Sequence, residues 1–193
     1  MPEVLPNVIA AAKVTSWISE RVEISGALTF TLIAGGRSNM TFVVNDGDQA
    51  RFVLRRPPTG PLLPSAHDMA REYRLMHALR DSDVPVPEMV GLCQDEKVNG
   101  RDFYVMHHVD GIVVRDIDIA TEMDVAARKA MSESLIDTLS ALHRVDIDDV
   151  GLGDFAKRSG YVERQVKRWS GQWESSRTRD MPIVDAVALE LIR

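Results

Sequence analysis

The sequence predicts an α+β fold: a five-stranded antiparallel sheet with one helix after its third strand, followed by the first helices of a mainly helical region. Three observations predict it. Between residues 25 and 107, short runs rich in Val, Phe, Thr and Tyr alternate with links containing Gly, Asn and Pro, the texture of strands and turns. One of those links, Asn45-Asp46-Gly47-Asp48, carries the Asp-Gly pair that signals a tight hairpin. Past Asp116 the apolar residues change to spacings of three and four, the period of an amphipathic helix.

Taken in order, residues 7–22 read as a helix with an apolar stripe at Val8, Ile9, Ala12, Trp17 and Ile18, and Asn7 as its cap. Leu28–Ile33, Met40–Val44 and Arg51–Arg55 read as a three-stranded meander, its first two strands joined by Ala34-Gly35-Gly36-Arg37-Ser38-Asn39. A Pro- and Gly-rich stretch from Pro57 to Pro64 breaks regular structure. Ser65 then caps a helix over 67–80, with its stripe at Met69, Tyr73, Met76 and Leu79. Glu88–Cys93 and Phe103–Met106 are the last strands, with Lys97-Val98-Asn99-Gly100 as the turn between them. Thr121–Arg144 reads as one long helix with Ala127, Met131, Leu135, Leu139 and Leu142 on one side. Tyr161–Trp173 is another, and a last helix starts at Pro182, where a missing N–H is harmless, with Asp180 or Met181 at its cap.

Composition narrows the function classes. Of 193 residues 45% are hydrophobic and 27% charged, which excludes disordered and collagen-like chains. Lys plus Arg number 23 against 29 for Asp plus Glu, a net charge of −6, which argues against nucleic acid or an anionic membrane as partner. The one cysteine, Cys93, has no internal disulfide partner and excludes a Cys-cluster metal site. No stretch approaches the roughly 18 apolar residues of a membrane span, and the start Met1-Pro2-Glu3-Val4-Leu5 lacks the basic region of a leader, so a cytoplasmic location is expected.

Three features bear on chemistry. Glu72 shares a helix face with Met69 and Met76, and its neighbours at three and four residues, Asp68, Met69, Leu75 and Met76, include no cation. A carboxylate turned toward packed structure needs a cation from elsewhere in the chain; the alternative leaves Glu72 at the stripe edge, in water. Arg55 is the natural partner. Alternation puts it on the same strand face as Val53, with Phe52 and Leu54 opposite, and an apolar side chain beside a cation suits a base and its phosphates. An exposed charge at a strand end is the alternative, and Arg56 competes if the register slips by one. In the link 34–39, Gly35 and Gly36 allow close approach of backbone N–H groups to phosphate oxygens, while Ser38 and Asn39 add side-chain donors; the plain reading is a hairpin turn.

The order of these features resembles the N-terminal lobe of the protein-kinase-like fold, and more closely the aminoglycoside phosphotransferase family. The matching stretches are Ala34-Gly35-Gly36-Arg37-Ser38-Asn39, Phe52-Val53-Leu54-Arg55-Arg56-Pro57-Pro58, Arg71-Glu72-Tyr73-Arg74, Val84-Pro85-Val86-Pro87, Phe103-Tyr104-Val105-Met106, Val109-Asp110-Gly111 and Leu139-Ser140-Ala141-Leu142-His143. Together they are similar to the branch that includes phosphotransferase-like domains attached to some acyl-CoA dehydrogenases. The resemblance implies that Gly35, Gly36, Arg37, Ser38 and Asn39 cover the phosphates of ATP or another nucleoside triphosphate. It implies that Arg55 stands where the family's usual lysine holds the α- and β-phosphates, and that Glu72 positions it. Met106, His107, His108 and Val109 become the hinge that reads the adenine edge. Arg in place of Lys departs from the kinase pattern, but a planar, permanently charged fork still binds phosphate.

The family's catalytic loop, His-x-Asp-x-x-x-x-Asn with a further Asp for Mg²⁺, is not found at any of the five histidines. His108-Val109-Asp110 is followed five residues on by Arg115, and His143-Arg144-Val145-Asp146 has one residue too many. No catalytic base or metal ligand is assigned. The expected organisation is a nucleotide-binding lobe at 1–107, a hinge at 108–116, and at 117–193 the start of a truncated helical lobe whose chemistry lies beyond Arg193. The resemblance thus implies an ATP-dependent phosphotransferase acting on a small-molecule hydroxyl, with Mg²⁺ in the full-length protein and this chain inactive alone. A non-catalytic nucleotide-binding or protein-interaction module is the alternative, and self-association through uncovered helix faces is expected.

Overall fold

Alternation in the strands, interrupted by irregularities at Val44/Asn45 and between Met89 and Gly91, separates the two faces of one sheet. The computed structural model describes residues 8–33, 39–60 and 67–192. Strands β1 (Leu28–Leu32), β2 (Met40–Asp46), β3 (Gln49–Arg56), β4 (Met89–Cys93) and β5 (Phe103–His107) are antiparallel, in the order β1-β2-β3-β5-β4. β2 and β3 join through Gly47, whose φ of +63° suits a residue without a side chain. β5 inserts between β3 and β4, so its backbone is hydrogen-bonded on both sides.

One face is the main core. Leu28, Phe42, Val44, Phe52, Leu54, Cys93, Phe103 and Val105 meet Val14, Trp17 and Ile18 of helix α1 (Ala11–Ser19), which recur at the three- and four-residue spacing of one helix side. Trp17 lies edge-on to Phe103, ring centroids 5.1 Å apart. It also lies against Gly91, where a Cβ would come within 3.0 Å of the indole. The other face packs α2 (Met69–Ala78) against β4 and β5.

Several boundaries differ from expectation for local reasons. The helix expected over 7–22 begins at Ala11, because the Ala10 N–H is satisfied by Asn99 Oδ1 at 2.9 Å; Asn7 lies outside the described residues. Asp68, whose side chain accepts from the Arg71 N–H, caps α2; Ser65 is likewise outside them. The turn at 97–100 is a single helical turn, α3 (Glu96–Asn99), capped by Asp95 and closed by left-handed Gly100. The long helix over 121–144 is two: α4 (Ile117–Glu122) ends, Met123 is extended, and the Asp124 side chain accepts from the Ala127 N–H to start α5 (Val125–Arg144).

The chain divides into two units, 1–150 and 151–193. α5 falls in the first, where Ala141 is buried with Leu79 and Val84, while its expected core stripe is open, Leu135 being 67% exposed. In the second unit α6 (Tyr161–Ser176) pairs with α7 (Pro182–Ile192), and Trp173 Nε1 donates to Asp185 Oδ1 at 3.1 Å. Among the described residues no helix is long and apolar enough to cross a membrane.

Candidate functional site

The sheet face that carries α2 presents two adjacent rows. Register aligns Val43 of β2, Val53 of β3 and Met106 of β5 in one, and Thr41, Arg55 and Tyr104 in the next. An apolar shelf therefore lies beside a polar one, as period-two alternation requires of residues two apart on each strand.

Glu72 closes the polar row. Capping of α2 by Asp68 puts Glu72 in the first helical turn. Its Oε2 accepts from Arg55 Nε at 2.9 Å and from the Tyr104 hydroxyl at 3.0 Å, and its Oε1 accepts from Asn39 Nδ2 at 2.7 Å. Arg55 Nη1 donates to Thr41 Oγ1 at 3.0 Å. Two strands and the residue just before β2 thus hold one carboxylate, with charge-assisted bonds that fix the guanidinium plane. Among the described residues Arg55 Nη2 has no hydrogen-bond partner, and Arg55 keeps about a third of its side chain exposed. Burial pushes the Tyr104 phenol well above its ordinary value, and the Glu72 charge adds to that.

Asn39 has a second contact. His67 Nδ1 lies 2.6 Å from Asn39 Oδ1. Because Glu72 can only accept, the Asn39 amide must turn its NH₂ to the carboxylate and its oxygen to His67, so His67 Nδ1 carries the proton. His67 has φ +64°, a backbone region that is uncommon for a residue with a side chain.

The expected hinge leaves the sheet at the end of the shelf. The His107 N–H donates to Glu88 O at 2.8 Å and the His108 N–H to Arg51 O at 2.9 Å, while Val109 is exposed. His108 Nδ1 lies 3.2 Å from Asp110 Oδ1, at the strand exit.

Of the residues singled out from sequence, Asn39, Val53, Arg55, Glu72 and Met106 come together on this face. Gly35, Gly36, Arg37 and Ser38 lie outside the described residues. Arg56, the competitor of Arg55, points the other way: it is buried, and it donates to the carbonyls of Pro57 and Val8. Tyr104, Thr41 and His67 carry no role in the sequence reading. Parity offered a signal for Tyr104, which is two residues before Met106 and therefore on its face, and a buried phenol needs a partner.

The site is thus a strand cation held by a carboxylate on the following helix, beside an apolar shelf. The profile of the phosphotransferase enzyme family matches residues 29–193. The chain belongs to the phosphotransferase enzyme family. Its fold is that family's: 92% of the chain superposes on 51% of a Ralstonia eutropha protein described as an aminoglycoside phosphotransferase, with a TM-score of 0.70 and 35% identity. It superposes at a TM-score of 0.57 and 16% identity on the GDP complex of aminoglycoside 2'-phosphotransferase-IIIa, over 94% of this chain and 58% of that one, which speaks for the fold alone. In sequence it is 40% identical over 164 residues to acyl-CoA dehydrogenase family member 11 of Gallus gallus, covering 85% of this chain and 21% of that relative. This phosphotransferase-family chain therefore spans about a fifth of that curated relative and about half of the Ralstonia structure.

Proposed function

We propose that the α2-facing side of the sheet binds a nucleoside triphosphate, ATP, and that this chain is the nucleotide-holding half of a phosphotransferase acting on a small-molecule hydroxyl. The observation that carries this is the held state of Arg55: Glu72 and Thr41 fix its guanidinium, and Nη2 keeps its donors for a ligand. A phosphate oxygen is the ligand such a fork suits. Val43, Val53 and Met106 provide the apolar surface for the base in the adjacent row. With the His107 and His108 N–H groups engaged, a donor to the base edge has to come from Val109 onward. Gly35, Gly36, Arg37 and Ser38 are assigned to the phosphates from the sequence pattern.

In the transfer a substrate hydroxyl oxygen attacks the γ-phosphorus, the bond to the β-phosphate oxygen breaks, and the hydroxyl proton passes to a base. This chain's part is to bind and orient. It has no His-x-Asp-x-x-x-x-Asn loop, so it supplies no base and is inactive alone. Among the described residues no group of three His, Cys, Asp or Glu is arranged to hold a metal.

Titration calorimetry with ATP tests the reading. The 193-residue chain binds ATP, and Arg55→Ala weakens binding by about tenfold or more while the circular dichroism spectrum is unchanged. Absence of ATP binding by the wild-type chain overturns it.

A second reading, an interaction module, is favoured by exposed apolar side chains on the helices, among them Leu135 and Ile136 of α5 and Trp169 of α6. Concentration-dependent self-association in light scattering supports it, and a monodisperse monomer counts against it.

A further inference from the structure

We propose that Asn39 is a positioning residue: it holds Glu72, and through Glu72 the Arg55 guanidinium, instead of contacting phosphate itself. The inference rests on the nucleotide reading above. Asn39 stands at the end of the glycine-rich link and immediately before β2, where a phosphate-facing side chain is the obvious expectation. The geometry points elsewhere. Asn39 is 6% exposed, its amide NH₂ donates to Glu72 Oε1 at 2.7 Å, and its amide oxygen faces His67 Nδ1 at 2.6 Å.

The two oxygens of Glu72 are divided. Oε2 serves Arg55 and Tyr104, and Oε1 serves Asn39. Without the Asn39 donor the carboxylate is free to rotate about its last torsion and to offer either oxygen to Arg55. The guanidinium plane then has more than one bound geometry, and the direction of Nη2 is no longer set. Asn39 also meets His67, just before α2, so one side chain couples that position to the Arg55–Glu72 pair. Phosphate binding depends on that coupling; base binding, in the neighbouring row, does not need it.

The experiment compares ATP with adenosine as calorimetric probes, using the full 193-residue chain. Asn39→Asp is near-isosteric, loses the donor and sets a carboxylate against Glu72. It is expected to weaken ATP by about tenfold and to leave adenosine within about twofold. Equal weakening of both, or of neither, overturns the proposal. A double-mutant cycle on thermal unfolding provides an arm that needs no nucleotide. Glu72→Gln places an amide opposite the carboxylate introduced by Asn39→Asp and restores the hydrogen bond between positions 39 and 72 in reverse. The doubly substituted chain is therefore expected to be more stable than the two single losses sum to. Additive losses overturn the coupling. If the wild-type chain binds neither probe, the nucleotide reading falls, the phosphate role of Asn39 falls with it, and the cycle still decides whether Asn39 holds Glu72.

Discussion

The Nε of Arg55 donates to Glu72 Oε2 across 2.9 Å, joining the third strand to the helix that follows it. Both side chains are about one-third exposed, so solvent weakens the pair as a source of stability. Its consequence is orientation: Glu72 takes Nε and Thr41 takes Nη1, which leaves Nη2 without a partner among the described residues.

The two adjacent arginines of β3 are expected to separate cleanly on substitution. Arg56 is buried on the α1 side and donates to the Pro57 and Val8 carbonyls. Arg56→Ala is expected to lower stability by roughly 1–3 kcal/mol, because buried acceptors lose their donor. ATP affinity measured by calorimetry should stay within about twofold of wild type. A loss of affinity like that of Arg55→Ala would place the phosphate contact on the wrong arginine.

Alkaline titration reports on Tyr104. Its phenol is raised above the ordinary value of 10.0, first by burial and then by the Glu72 charge. The sign follows: the contribution to stability is full below pH 10.0 and is lost as pH rises toward the folded value. Of the three tyrosines, one is expected to ionise only as the fold opens, seen as a late step in the tyrosinate absorbance that coincides with loss of helix signal. In Tyr104→Phe that step is absent; its persistence would assign it to another tyrosine.

Acid stability is tied to Asp46. Its side chain accepts from the Ser25 N–H at 2.9 Å and from Arg51 at 2.5 Å, and the Ser25 backbone bond, followed by Arg51, holds its carboxyl below the ordinary 3.8 despite burial. A lowered acid contributes stability that is present above pH 3.8 and is lost as pH falls through the folded value. Urea unfolding followed from about pH 6 down to about pH 3 should therefore show a shallower acid loss for Asp46→Asn than for wild type. Equal slopes would show that this carboxylate does not carry the dependence.

Gly91 is expected to resist any side chain. A Cβ there would meet the Trp17 ring at 3.0 Å, and Trp17 is itself locked against Phe103. Gly91→Val should destabilise by about 1–3 kcal/mol, the range for overpacking a filled core. Relief in the Gly91→Val, Trp17→Phe double variant, read as a partial return of the melting temperature, identifies the indole as the obstacle. No relief would place the strain in the backbone.

Much of the fold was legible because it rests on local periodicity. The strand alternation in Phe52-Val53-Leu54-Arg55 assigns the faces correctly, and the Asp-Gly link makes its hairpin at Gly47. Helix boundaries were less legible where a cap competed with a pattern. The helix expected from Thr121 restarts at Val125, because the Asp124 side chain satisfies an N-terminal amide and so ends one helix and starts another.

Residue order was enough to establish the family and the alternation that puts Arg55 beside Val53, and it left Glu72 between a distant cation and water. These depend on motifs in sequence and on two short periods. Only packing could establish that β5 inserts beside β3, and with it that Tyr104 lies opposite Arg55 and Met106 opposite Val53. Packing also brings Asn39 and His67 together at Glu72, although 28 residues separate them. Strand order and side-chain meetings of that kind follow from how whole faces pack, and no local pattern of residues encodes which distant partner will satisfy a buried polar group.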